Sequence, residues 1–288
     1  MTYVHDETSC ELGEGPLWHP VRGQLFWFDI LGRRLLTRED GETRSWEFDR
    51  IVSAAGWTDR DRLLVASETD LFVFDLATGA SETVCPLEAD RPETRSNDGR
   101  ADPWGGFWIG TMGKEAESGA GAIYRWYRGD LRRLHGDISI PNSICFSPDR
   151  RFAYFTDTPT RIIRRQGLDP TSGWPSGAAE DWLDLGPEEL NPDGSVTDAE
   201  GNLWNAQWGA RRVACYSPEG RFLRAVSFPA QHTSCPAFGG DRMSTLYCTT
   251  AREGLSPETL AAEPENGLTF AAKDVGSGQA EPQVILTD

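Results

Sequence analysis

A chain of 288 residues with 38% hydrophobic and 25% charged residues can bury a sizeable core, as two ordinary domains or one large β domain. Its formal net charge of −17 excludes a nucleic-acid surface of clustered Lys and Arg, and no apolar run approaches the ~20 residues that cross a bilayer. Six scattered cysteines without CxxC pairs, and a start with neither basic nor apolar targeting character, lead us to expect free thiols and a cytoplasmic protein, monomeric by default.

Taken in order, six segments share a strand that opens on Leu or Phe with an aromatic or aliphatic residue. They are residues 24–28, 62–66, 106–110, 152–156, 202–206 and 245–249. Marked at Trp27, Val65, Trp108, Tyr154, Trp204 and Tyr247, they recur at spacings of 38, 43, 46, 50 and 43, which brackets a four-stranded propeller blade. Five of the six precede a second β-rich run, at 71–74, 122–127, 161–163, 212–216 and 268–270, set off by Gly, Pro and Asp turns. Only Ser256–Ala262 reads as a helix, with a Ser N-cap followed by Pro. The expectation is therefore all-β: one six-bladed β-propeller over residues 1–288 with a central metal site. The run Gln283-Val284-Ile285-Leu286 is expected to pair with Thr2-Tyr3-Val4-His5 in one shared blade and so close the ring. Two stacked β-sandwich domains are the alternative, and no linker between them is evident.

The metal expectation comes from polar residues in phase. Asp193 and Asn97 each lie 11 residues before their markers Trp204 and Trp108; Asn142 lies 12 before Tyr154 and Glu14 13 before Trp27. Residues at one phase of successive blades converge on the axis. Glu14, Asn142 and Asp193 then supply two carboxylates and an amide, hard donors that suit Ca²⁺, Mg²⁺ or Mn²⁺, with Zn²⁺ also compatible. The four histidines have no HExxH or paired spacing, and Trp27, Trp108 and Trp204 fall where blade cores need bulk.

The segments Leu12-Gly13-Glu14-Gly15-Pro16-Leu17-Trp18, Arg95-Ser96-Asn97-Asp98-Gly99-Arg100, Gly110-Thr111-Met112, Pro141-Asn142, Pro192-Asp193-Gly194 and Cys235-Pro236-Ala237-Phe238-Gly239-Gly240 carry a resemblance. In this order, and nearly end to end, the chain resembles the SMP-30/gluconolactonase/regucalcin-like family. The resemblance implies a six-bladed propeller with one divalent cation that hydrolyses sugar-acid lactones, such as xylono-, arabinono-, galactono- or gluconolactone. It implies Glu14, Asn142 and Asp193 as metal ligands, Arg95, Asn97 and Glu117 as substrate contacts, and Asp157 as a support near the metal. Ca²⁺ is the first choice of cation, with Zn²⁺, Mn²⁺, Mg²⁺ or Fe²⁺ as alternatives. Ser143 stands where relatives often have Gly, and is expected to alter the pocket wall.

Lactone hydrolysis needs a polarised carbonyl and a base for the attacking water, and Asp193 is the candidate base. Arg95 offers a planar fork for a carbonyl oxygen or vicinal hydroxyls. The competing readings are a calcium-binding regulatory protein of the regucalcin type, a protein-binding scaffold, and a hydrolase of another ester-like substrate.

Overall fold

Aromatic and β-branched runs punctuated by Gly, Pro and Asp turns fold into six four-stranded antiparallel sheets in the computed structural model, which describes residues 1–286. The inner strands are Gly13–His19, Val52–Trp57, Thr94–Ala101, Pro141–Phe146, Asn191–Thr197 and His232–Gly239. Each packs against the next, and the last against the first, so the sheets are the blades of a closed propeller. The marker segments are the second strand of every blade. Trp27, Trp108 and Trp204 are wholly buried in the layers between blades. The short helix forms at Pro257–Ala262, where the Ser256 hydroxyl accepts the Thr259 N–H at 3.2 Å.

All six inner strands carry a register shift near the same end; in Val52–Trp57 Ser53 is the single extra residue, and the other five have a β-bulge of one pattern. Two residues face one at Gly15-Pro16 opposite Trp27, Asn97-Asp98 opposite Gly110, Ser143-Ile144 opposite Phe155, Asp193-Gly194 opposite Ala206 and Ser234-Cys235 opposite Thr249. A bulge bends the strand and re-aims the side chains around it. The in-phase residues Glu14, Asn97, Asn142 and Asp193 lie inside these strands, at or beside the bulge.

The sixth blade joins His232–Gly239, Thr245–Ala251 and Thr269–Lys273 to the N-terminal strand Thr2–Asp6, with Thr2 opposite Ala272. The expected partner of that strand, Gln283–Leu286, is not a strand. It ends an extended strap across the opposite mouth of the ring, where Val284 is buried with Leu64, Ala101 and Phe107 and donates its N–H to Trp57 O. A short β-branched apolar run serves equally well for a strap pressed onto several blades, which is why Val284-Ile285-Leu286 read as a strand.

All four histidines pack against aromatic rings; His135 stacks on Phe155 with centroids 4.3 Å apart. Burial lowers the pKa of each, His135 to about 4. The unfolded chain, titrating near 6.5, thus takes up this proton first. The stability held by neutral His135 is complete above pH ~6.5 and is lost as pH falls toward about 4. Thermal melts between pH 7.5 and 4.5 should show wild type losing ground steadily to His135→Phe as pH falls; parallel curves would contradict this burial argument.

Candidate functional site

At the bulged end of the inner strands lies a cavity of about 380 Å³. Its floor is made by Glu14, Arg95, Asn97, Asn142 and Asp193 from four blades. Its walls come largely from the ends of second strands and the turns after them: Met112 and Lys114, Thr158, Trp208, and Glu253. The geometry follows from antiparallel pairing, which puts the start of each inner strand beside the end of its neighbour.

Small residues follow the floor carboxylates because the next blade is in contact there. Gly15 has φ 53°, and a Cβ on it would meet Ser53 O at 2.3 Å. A Cβ on Gly194 would meet Cys235 Sγ at 2.2 Å. After Asn142 comes Ser143, itself at φ 61°, a left-handed conformation that glycine adopts without strain. Its hydroxyl faces away from the cavity, contrary to expectation. It donates to Asp193 O at 2.5 Å and accepts from Ser195 Oγ at 3.0 Å and Asn205 Nδ2 at 3.2 Å. Ser143 braces the backbone of Asp193 and does not line the pocket.

A chain of hydrogen bonds orients the floor amides across three blades. Arg95 Nη1 donates to Asn97 Oδ1 at 2.8 Å, and Asn97 Nδ2 donates to Asn142 Oδ1 at 3.1 Å and to Pro141 O at 2.9 Å. Asn142 Nδ2 donates to Thr158 Oγ1 at 3.0 Å, whose hydroxyl donates to Pro192 O at 2.8 Å. Asn142 thus keeps its oxygen on the side of Asn97, with a second lone pair available. Asn97 has already committed its amide N–H groups, so toward a ligand it is an acceptor.

Burial pushes the Glu14 and Asp193 carboxyls upward, and nearby carboxylates push further: Asp98 on Glu14, and Glu14 then Asp98 on Asp193. Burial lowers Arg95, with Glu253 and Glu14 as its nearest countercharges. Among the described residues no group of three or more His, Cys, Asp and Glu side chains is placed to hold a metal ion. The set at the axis is two carboxylates with an amide oxygen, and Arg95 offsets their negative charge only in part. The charge left over, and the hardness of every donor, fit an oxygen-seeking divalent cation.

Over residues 12–252 the chain matches the family described as the SMP-30/Gluconolactonase/LRE-like region. The chain belongs to this family. A Rhizobium meliloti protein provisionally named a sugar lactone lactonase is 41% identical across 97% of this chain and 96% of its own length. The L-arabinolactonase of Azospirillum brasilense is 38% identical, over 95% of this chain and 92% of that one. A crystal structure of a calcium-binding protein, regucalcin, from Agrobacterium tumefaciens superposes with a TM-score of 0.96 at 43% identity, covering 98% and 97% of the two chains.

Two residues singled out by the family resemblance, Glu117 as a substrate contact and Asp157 as a support, lie outside the cavity lining. Glu117 is exposed and outside the cavity lining; it folds back to accept the Glu115 N–H at 3.2 Å and so shapes the loop that presents Lys114 and Glu115 to the cavity. Asp157 lies one layer behind the floor. It accepts the N–H groups of Ser139 (3.1 Å) and Ile140 (2.8 Å) and fastens the start of the strand that bears Asn142. Asp29 does the same for Leu12 ahead of Glu14, at 3.0 Å. Sequence reading left Trp208 open between core and sugar platform, and missed Glu115, Thr158 and Glu253 as wall residues and Asp98, whose carboxylate accepts the Ile144 N–H at 2.7 Å. Following each marker strand to its far end would have found three of these. Trp208, half-buried, stacks on His232 at 4.1 Å and walls the cavity, whereas Trp18 is core, stacked on Tyr247. Ser143→Ala should cost about 1–2 kcal/mol in chemical denaturation, because it strips a buried donor from Asp193 O; an unchanged midpoint would show the brace to be idle.

Proposed function

We propose that this chain hydrolyses a sugar-acid lactone to the free aldonic acid at a divalent-cation centre on the propeller axis. The observation that carries the reading is one cavity that unites two buried carboxylates and an oriented amide with an Arg fork and an amphipathic wall. Glu14, Asn142 and Asp193 would hold the cation, Ca²⁺ first among the candidates. When bound, it supplies Lewis-acid polarisation of the lactone carbonyl.

The chain's own residues do the rest. Asp193, raised above the ordinary carboxylate range, accepts the proton of the attacking water. Arg95 is held through Nη1 by Ser96 O and Asn97 Oδ1, which leaves the other donors of its fork for substrate oxygens. Glu115 takes the role expected of Glu117, and with Glu253 accepts hydroxyls from the far side of the ring. Leu12, Met112, Ile140 and Trp208 meet the carbon faces of the substrate. A cation site alone has no use for Arg95 or for this wall, which favours catalysis over a purely regulatory calcium protein. The six free thiols support a cytoplasmic location.

Metal-stripped protein should hydrolyse xylono-, arabinono-, galactono- or gluconolactone only after Ca²⁺, Mn²⁺, Zn²⁺, Mg²⁺ or Fe²⁺ is restored, as followed by proton release. Asp193→Asn should lower kcat by at least ~100-fold. Tight cation binding with no turnover of any lactone would overturn the reading, and full turnover by Asp193→Asn would remove the base assignment.

A further inference from the structure

Beneath the floor of the cavity the axis is crossed by a buried ion pair that the proposed chemistry does not use. Arg100 Nη1 pairs with Glu281 Oε1, and both side chains are more than nine-tenths buried. The guanidinium also donates through Nε to Ile144 O (3.2 Å) and through Nη2 to Ser195 O (3.2 Å). One planar group therefore bonds to two inner strands besides its own and to the C-terminal strap.

The positions of these contacts matter. Arg100 is three residues after Asn97, Ile144 two after Asn142, and Ser195 two after Asp193. At ~3.3 Å per residue, the guanidinium ties the three strands together roughly 7–10 Å below the groups that face the cavity. Ile144 is gripped on both sides, since Asp98 accepts its N–H while Arg100 donates to its carbonyl.

The strap that brings Glu281 there is itself fixed to four blades. Gly278 N–H donates to Met243 O, Ala199 N–H to Ser277 O, Trp57 Nε1 to Glu281 O at 2.8 Å, and Ile285 N–H to Gly105 O. Gln279 Nε2 donates to Thr197 Oγ1 at 2.7 Å. Glu281 is thus delivered to the axis from outside the ring, on backbone held independently of Arg100.

We propose that Arg100 and Glu281 are positioning residues: the strap anchors the guanidinium where it sets the spacing of the strands bearing Asn97, Asn142 and Asp193. Without the Glu281 charge, the guanidinium keeps Asp98 as its nearest anion, with Glu14 and Asp193 above. It then swings toward the cavity, releases a strand carbonyl, and places positive charge where the cation should bind. The inference rests on the lactonase reading for its metal centre but concerns a different set of atoms.

The test compares wild type, Glu281→Gln, Glu281→Asp and the double variant Arg100→Leu/Glu281→Leu. Calcium and manganese affinities are measured by titration calorimetry, kcat and KM at saturating metal, and amide exchange over Pro141–Phe146 and Asn191–Thr197. Glu281→Gln should bind both metals at least ~10-fold more weakly, as removal of an outer partner of a metal site does. It should lose kcat more than raise KM and exchange faster in those two strands. Glu281→Asp should recover part of each loss. The double variant, relieved of the stray charge but lacking the tie, should stay weak. Wild-type affinity and exchange in Glu281→Gln would overturn the proposal, as would a double variant that regains full affinity, because charge balance alone would then suffice. If Glu281→Gln does not fold, the Glu281→Asp and double variants decide by the same criteria. If wild type binds neither metal, the metal centre fails, and strand exchange in the variants still judges the positioning role.

Discussion

The structure turns on an electrostatic constraint: Glu14 and Asp193 are buried near one another at the axis, in surroundings that raise the pKa of both. Burying like charges is costly, and ordinary side-chain motion would relieve the repulsion by letting one carboxylate turn away. Here neither can turn easily. Each sits at a bulge of an inner strand, with a glycine after it that is pressed against the neighbouring blade. The closed ring supplies the force that holds them in place, since relaxing one strand means separating two blades.

Around that constraint, polar groups are arranged in layers by height along the axis. At cavity level a chain of amides runs from Arg95 through Asn97 and Asn142 to Thr158 and fixes which atoms face inward. Just below, Ser143 and Asn205 donate to the carbonyl of Asp193, and Ser195 links the two across two blades. Lower still, Arg100 spans three blades and meets the strap. The floor is thus fixed by bonds between blades as well as within them, the kind of support that holds a reactive geometry within the narrow tolerance chemistry needs.

Much of this could be read from the sequence, for identifiable reasons. The second strand of each blade is buried on both faces, so its bulk recurs at a regular period and six blades could be counted from Trp27 to Tyr247. The phase of Glu14, Asn97, Asn142 and Asp193 was visible because a bulge occurs at the same place in each of their strands. Measured to the first paired residue beyond the bulge (Phe26, Ile109, Tyr154 and Asn205), all four lie at one and the same separation, and the drift seen against the aromatic markers vanishes. What could not be read depends on the paths of loops. Glu117 and Glu115 are two residues apart, and only the fold of the turn decides which one reaches the cavity. The strap at 276–286 ends in the apolar run Val284-Ile285-Leu286, which fits a strand as well as it fits an extended segment across a mouth. Ser143 shows the same limit at one residue: its identity suggested a pocket wall, whereas its positive φ sends the hydroxyl to Asp193 O.

Charge distribution separates a hydrolase from a plain cation site on the same scaffold. A site built only to bind a divalent ion gains from surrounding anions and loses from a nearby guanidinium, which repels the ion it should attract. This chain puts Arg95 on the floor beside Glu14 and buries it deeply enough to lower its pKa, with Glu253 on the wall as further countercharge. Such an arrangement is unfavourable to cation affinity and only makes sense if the guanidinium has a partner that arrives with the substrate. A lactone supplies one, because negative charge develops on its carbonyl oxygen as water attacks, and a donor fixed in advance stabilises that charge without reorganisation. The residue that weakens the resting site is thus the one that a reaction would require.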